Sequence, residues 1–176
     1  MKALIIYTSQ TGFTKRYAEW IGKRLQADIL DVRDAKKKKK DYYDSYDAII
    51  YGGWVMAGKV SQSKWFLGKA PAWNGKKLAV YVVGASPVEG PDVEECMKNL
   101  LNDEQRGYIR AFYCQGGLDY DKMNKPSKMA MKMLISILNK KKDPTEKDKA
   151  MVEMISHSYD ISDEKYIEPI VEYVTD

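Results

Sequence analysis

The sequence predicts an α/β protein, a doubly wound parallel sheet of five strands, on three observations. Short apolar runs recur along the chain and end in glycine; amphipathic helical segments separate them; and the first run leads into a turn built of hydroxyl residues and glycine. Strand and helix alternating in this way cover both faces of the sheet with helices, and the order implied is 2-1-3-4-5. At 176 residues, with 44% hydrophobic residues, 13 Tyr and 4 Trp, the chain has the length and the apolar content for one well-buried domain spanning 1–176.

Lys2 to Tyr7 is almost wholly apolar, as a strand covered on both faces must be. From Gly12 to Leu25, Tyr17, Ala18, Ile21 and Leu25 fall at helical spacing with Lys15, Arg16, Glu19, Lys23 and Arg24 between them. Asp28 to Val32 is the second strand, followed by the lysine run 36–40, which reads as a solvated loop. Asp47 to Tyr51 is the third strand and ends in Gly52-Gly53-Trp54, with Gly52 to Val60 read as a loop. A helix from Ser61 to Lys69 leads through Pro71 and the Asn74-Gly75 turn to the fourth strand, Lys77 to Val83, which ends in Gly84-Ala85-Ser86-Pro87. Pro91 opens a helix over Asp92 to Leu101, and Ile109 to Cys114 is the fifth strand. Beyond it come a methionine-rich helix, Lys125 to Asn139, a short helix, Pro144 to Ile155, and a closing helix, Asp163 to Val174, capped by Ser162 or Asp163. Residues 117–160 are expected to be an insertion between the fifth strand and the last helix.

The turn after the first strand carries the most chemistry. A helix N-terminus offers unpaired amide N–H groups and a partial positive charge, so it holds a phosphate without lysine or arginine. Ser9, Thr11 and Thr14 add hydroxyls, and Gly12 lets a ligand approach the backbone closely. The competing reading is a plain strand-to-helix turn rich in capping residues.

Ser9-Gln10-Thr11-Gly12-Phe13-Thr14 resembles the [ST]-x-T-G-x-T phosphate loop of the flavodoxins, which holds the phosphate of FMN. The resemblance implies FMN as cofactor, those six residues as its phosphate cradle, and two further loops sandwiching the flavin ring. Gly53, Trp54 and Gly58 come from the second loop, and Gly84, Ala85 and Ser86 from the third, whose amides would bond the flavin's pyrimidine edge. Trp54 stands either as the ring's aromatic partner or as a packing residue. Val55 follows it where a glycine would ease peptide rotation, leaving Gly58 as the nearest glycine. The third loop has no aromatic, so Pro87 or Val88 would form an aliphatic wall.

A second resemblance lies in the C-terminal third. Cys114-Gln115-Gly116-Gly117-Leu118-Asp119-Tyr120, the basic methionine-rich helix and Asp143-Pro144-Thr145 are similar to flavodoxin-like protoporphyrinogen dehydrogenases, which oxidise a porphyrinogen and pass electrons to menaquinone. Three functions therefore stand open: an electron carrier serving a redox partner protein, a flavin enzyme acting on a porphyrinogen or quinone, and a flavin-less scaffold. No residue is nominated as catalytic acid or base. In the helix 125–139, Lys128, Lys132 and Ser136 form one narrow polar face and the rest is apolar. It either packs on its own domain or offers a lid, a partner surface or a peripheral membrane contact with lysines facing acidic headgroups.

Composition excludes several classes. A net charge of +4 comes largely from lysine runs without interleaved aromatics, so no nucleic-acid partner is expected. Cys96 and Cys114 are not spaced for metal, His157 has no companion ligand, and both cysteines are expected reduced and packed. With mean hydropathy of −0.52 and no bilayer-length apolar run, the expected compartment is the cytoplasm.

Overall fold

A computed structural model describes residues 1–176. In chain order the elements are β1 (Ala3–Tyr7), α1 (Phe13–Leu25), β2 (Asp28–Asp31), α2 (Val32–Ala35), β3 (Ala48–Met56), β4 (Lys59–Val60), α3 (Ser63–Lys69) and β5 (Lys77–Gly84). There follow α4 (Pro91–Leu100), α5 (Asp103–Arg106), β6 (Ile109–Gln115), β7 (Gly117–Leu118), α6 (Lys125–Asn139), α7 (Glu146–Ile155), β8 (Tyr159–Asp160) and α8 (Glu168–Thr175).

The five long strands pair in parallel in the order β2-β1-β3-β5-β6, which is the expected 2-1-3-4-5 once the short β4 is counted. Register puts Leu4 beside Ile49, Ile49 beside Leu78 and Leu78 beside Ile109, a continuous aliphatic row on one face. That face packs with Phe66 and Trp73; the opposite one, through Ile5, Ile50, Ala79 and Tyr81, packs with Tyr17 and Ile21 of α1 and Ile170 of α8. Fully burying each such aliphatic side chain contributes roughly 1.5–3 kcal/mol, and this two-faced burial holds the layers together. Cys96 and Cys114 are free and buried, as expected.

Where the sequence suggested a loop over Gly52 to Val60, β3 instead runs on to Met56, turns at Ala57 and Gly58, and returns as β4. Both turn residues have positive φ, 49° and 71°, the conformation of the tight hairpin turns whose twist suits flanking strands. Ala seldom takes that conformation, so the turn carries no ordinary sequence signal. Smaller differences have similar local causes. β2 stops at Asp31, whose carboxylate accepts from the Arg33 amide and starts α2. Thr145 and Asp148 form a capping box that begins α7 at Glu146. α8 follows a 3-10 turn, Glu164–Ile167, capped by Asp163.

Residues 117–118 and 159–160 form an antiparallel ladder, and the segment between them carries α6 and α7. The two helices close a small core of Leu118, Leu138 and Ile155. Only one face of α6 is covered: Met129, Met133 and Ile137 stay 55–68% exposed. No helix is long and apolar enough to cross a membrane.

Candidate functional site

The carboxyl ends of β1, β3 and β5 converge on one edge of the sheet, the place where open α/β sheets bind ligands. At the end of β1 the chain turns through Gly12, whose φ of 104° and ψ of −22° put it in the left-handed region. Ser9 Oγ accepts the Gly12 amide at 3.1 Å, and Thr8 N donates to Gly52 O at 2.9 Å, tying the loop to β3. The amides of Thr11, Phe13 and Thr14 have no acceptor within the protein. The first turn of α1 has no acidic residue, so nothing competes with an anion there.

Tyr81 fixes this loop from below. It lies beside Gly52 in register, its ring passes so close that a Cβ on Gly52 would fall 1.9 Å from it, and its hydroxyl donates to Thr14 O at 3.1 Å. Complete burial pushes the Tyr81 phenol well above its ordinary pKa, so it stays a donor.

Trp54 comes from the outer end of β3, half-buried and packed into none of the hydrophobic clusters. Its carbonyl accepts from Ser61 N at 2.8 Å, which ties down the peptide leading to Val55 and leaves the Ala57-Gly58 turn as the free part of the hairpin. Facing it, the turn after β5 has its carbonyls occupied. Gly84 O accepts from Gly116 N at 2.7 Å, Ala85 O from Tyr159 Oη at 2.9 Å, and Ser86 O from Tyr113 Oη at 2.8 Å. In a trans peptide the N–H points away from the preceding C=O, so anchoring Gly84 O and Ala85 O turns the amides of Ala85 and Ser86 the other way. Burial is the main cause that raises both tyrosine pKa values, Tyr159 to about 12 and Tyr113 further, keeping both hydroxyls protonated.

These parts surround a cavity of about 810 Å³. Of the residues expected from sequence, Gln10, Thr11, Phe13, Thr14, Trp54, Gly58, Gly84, Ala85 and Ser86 line it. Three do not: Ser9 lies behind the loop holding the Gly12 amide, Gly12 faces an adjoining depression, and Gly53 packs against Val60 of β4. Phe13 is buried, its ring against Gly117, so it offers the cavity backbone more than side chain. Sequence reasoning missed Tyr81, Tyr113 and Tyr159, which act across 67, 27 and 74 residues of chain, and it missed the far wall of the cavity, which α6 and α7 supply.

A sequence model of the family described as the flavodoxin domain matches residues 4–146. Over 122 residues the chain is 32% identical to the flavodoxin-like domain-containing protein BilS of Clostridioides difficile, 66% of each chain being covered. Over 71 residues it is 32% identical to a flavodoxin of Haemophilus influenzae, covering 40% of this chain and 36% of that one. The chain thus spans just under two thirds of the first relative and about a third of the second. Among solved structures it is similar to the flavodoxin, WrbA-like protein of Agrobacterium tumefaciens, at 20% identity and a TM-score of 0.49, over 69% of this chain and 87% of that one.

Proposed function

This chain belongs to the flavodoxin family, and from that premise we propose that it binds FMN at the carboxyl edge of its sheet and works as an oxidoreductase or electron-transfer protein. The observation that carries the reading is the row of unpaired amides at Thr11, Phe13 and Thr14 opening into the same cavity as Trp54 and the Ala85–Ser86 turn. The donor set fits the cofactor: amides and hydroxyls for a dianionic phosphate, an indole for a flat ring, and outward amides for a ring edge of acceptors. Gln10, Thr11 and Thr14 would hold the phosphate, with Ser9 and Gly12 shaping the loop; Trp54 and residues 84–86 would flank the ring. When bound, FMN supplies the redox chemistry, and the protein binds and orients it. FMN is favoured over FAD because the cradle suits a terminal phosphate and no second nucleotide fingerprint is present.

Residues 1–176 are read as one domain whose excursion, 117–160, folds back over the site. The reaction partner in this reading is either a redox protein or a small organic substrate such as a quinone or porphyrinogen. Two free buried cysteines suit a reducing compartment such as the cytoplasm. The exposed stripe of Met129, Met133 and Ile137 beside Lys132 favours, as a second feature, peripheral contact with an anionic membrane, testable by co-sedimentation with vesicles.

The phosphate cradle is tested by changing Thr11 and Thr14 together to alanine. Each hydrogen bond to a charged group contributes roughly 1.5–3 kcal/mol, so FMN affinity should fall at least tenfold. Unchanged affinity in the double variant would remove this loop from the site.

A further inference from the structure

Past Trp54 and the turn at residues 84–86, the cavity continues to a wall formed by α6 and α7; its whole volume of about 810 Å³, the phosphate loop included, lies toward the upper end of the range for ligand pockets. We propose that this inner compartment binds one planar, uncharged, mostly apolar organic molecule alongside the cofactor; its placement beside FMN rests on the reading given above.

The wall itself is the argument. Protein interiors are packed to crystal-like density with few voids, yet α6 and α7 seal only part of their interface. Leu138 and Ile155 close against Leu118, while Met131 and Met154 remain half-buried and face the cavity, with Met151 and Leu134 at its rim, 37% and 38% exposed. Together with Met56 of the hairpin and Met123 ahead of α6, five of the chain's nine methionines line this one space. Unbranched and polarisable, methionine adapts to the outline of a ligand and makes favourable sulfur contacts with aromatic rings at ~5 Å.

The charge distribution narrows the class. The two helices contribute a single polar lining side chain, Ser127, which is 5% exposed and whose hydroxyl meets only the Met56 sulfur at 4.0 Å. Charged lining residues, Lys59, Asp92 and Glu95, belong to the other walls. An ionised ligand lying against α6 and α7 would lose its hydration with no counter-charge, whereas a neutral conjugated one loses nothing of the kind.

The test titrates the FMN-loaded protein with Nile red, a neutral planar dye whose emission rises and shifts in apolar surroundings, excited beyond the flavin absorption band. One dye per chain should bind without displacing FMN. Met131→Gln and, separately, Met154→Gln should weaken the dye by about tenfold while leaving FMN affinity unchanged, since both side chains belong to the α6–α7 wall and to none of the loops assigned to the cofactor. Met129→Gln with Met133→Gln, on the outer stripe of α6, should leave the dye unaffected; circular dichroism verifies that each variant is folded, and Met151→Gln at the rim serves should either inner variant unfold. The proposal is overturned if dye binding is insensitive to the inner variants, is lost in the outer pair, or competes with FMN. Should the protein bind dye with this variant pattern but no FMN, the compartment stands and the cofactor reading alone falls.

Discussion

Tyr81 couples two parts of the site that are far apart in the chain. Its ring occupies the space a side chain at residue 52 would need, and its hydroxyl steadies the first turn of α1 at Thr14. Gly52 is therefore required by close approach rather than by backbone conformation. Gly52→Ala must push a fully buried ring aside, an overpacking cost of about 1–3 kcal/mol. It should also loosen the loop proposed to hold the phosphate, without touching a ligand. Denaturant unfolding and FMN titration check both effects, and a variant unchanged in stability would mean that Tyr81 has room to move. Tyr159 and Tyr113 work in the same manner on the third loop: Tyr159 holds Ala85 O, which turns the Ser86 amide the other way, and Tyr113 holds Ser86 O, which fixes the turn ahead of Pro87.

At the scale of elements, the β3–β4 hairpin and the α6–α7 pair decide the shape of the cavity. The hairpin turn holds Ala57 at φ 49°, where a residue with a Cβ is disfavoured by roughly 1–2 kcal/mol and asparagine is better tolerated. Ala57→Asn should therefore stabilise the protein, raising Tm by about 2–4 °C for each kcal/mol gained. A lower Tm would show that the alanine is needed for some contact outside the turn. α7 depends on its cap: the side-chain hydrogen bond from Lys141, then those from Thr145, hold the Asp148 carboxyl down at about 2. A carboxyl depressed in the folded state stabilises it fully above the ordinary aspartate range, near ~3.9, and that stabilisation is withdrawn as pH falls toward 2. Melting curves of wild type and Asp148→Asn should thus differ at pH 6 and converge on acidification. A gap that stays constant down to pH 2.5 would exclude the cap as its source.

Across the whole molecule, the layered sheet was legible from the alternation of apolar runs and amphipathic helices, because that pattern is the direct signature of burial on two faces. So was the meeting of three loops: Ser9 to Thr14, Trp54 and Gly84 to Ser86 all lie at one edge because strand order alone brings those loops together. Two things were not legible. The hairpin was hidden because Ala57 breaks the usual turn chemistry, and the tyrosine anchors and methionine wall arise from contacts between segments whose spacing in sequence carries no local signal. For the methionine-rich helix the sequence allowed either packing on its own domain or an offered surface, and the structure gives it a face of each kind: its inner face joins Leu118 and Ile155, while its outer stripe meets solvent.

The central claim is that the edge of this sheet is an FMN site, and adding FMN to the flavin-free protein while following flavin fluorescence and absorbance tests it most directly. The account predicts one FMN per chain, with quenched flavin emission, a perturbed flavin absorption band, and a Kd of ~1 μM or tighter, corresponding to about 8 kcal/mol of binding free energy. Flavin emission and absorbance indistinguishable from those of free FMN, at protein concentrations far above that value, would contradict it and leave a flavodoxin fold that has no flavin to hold.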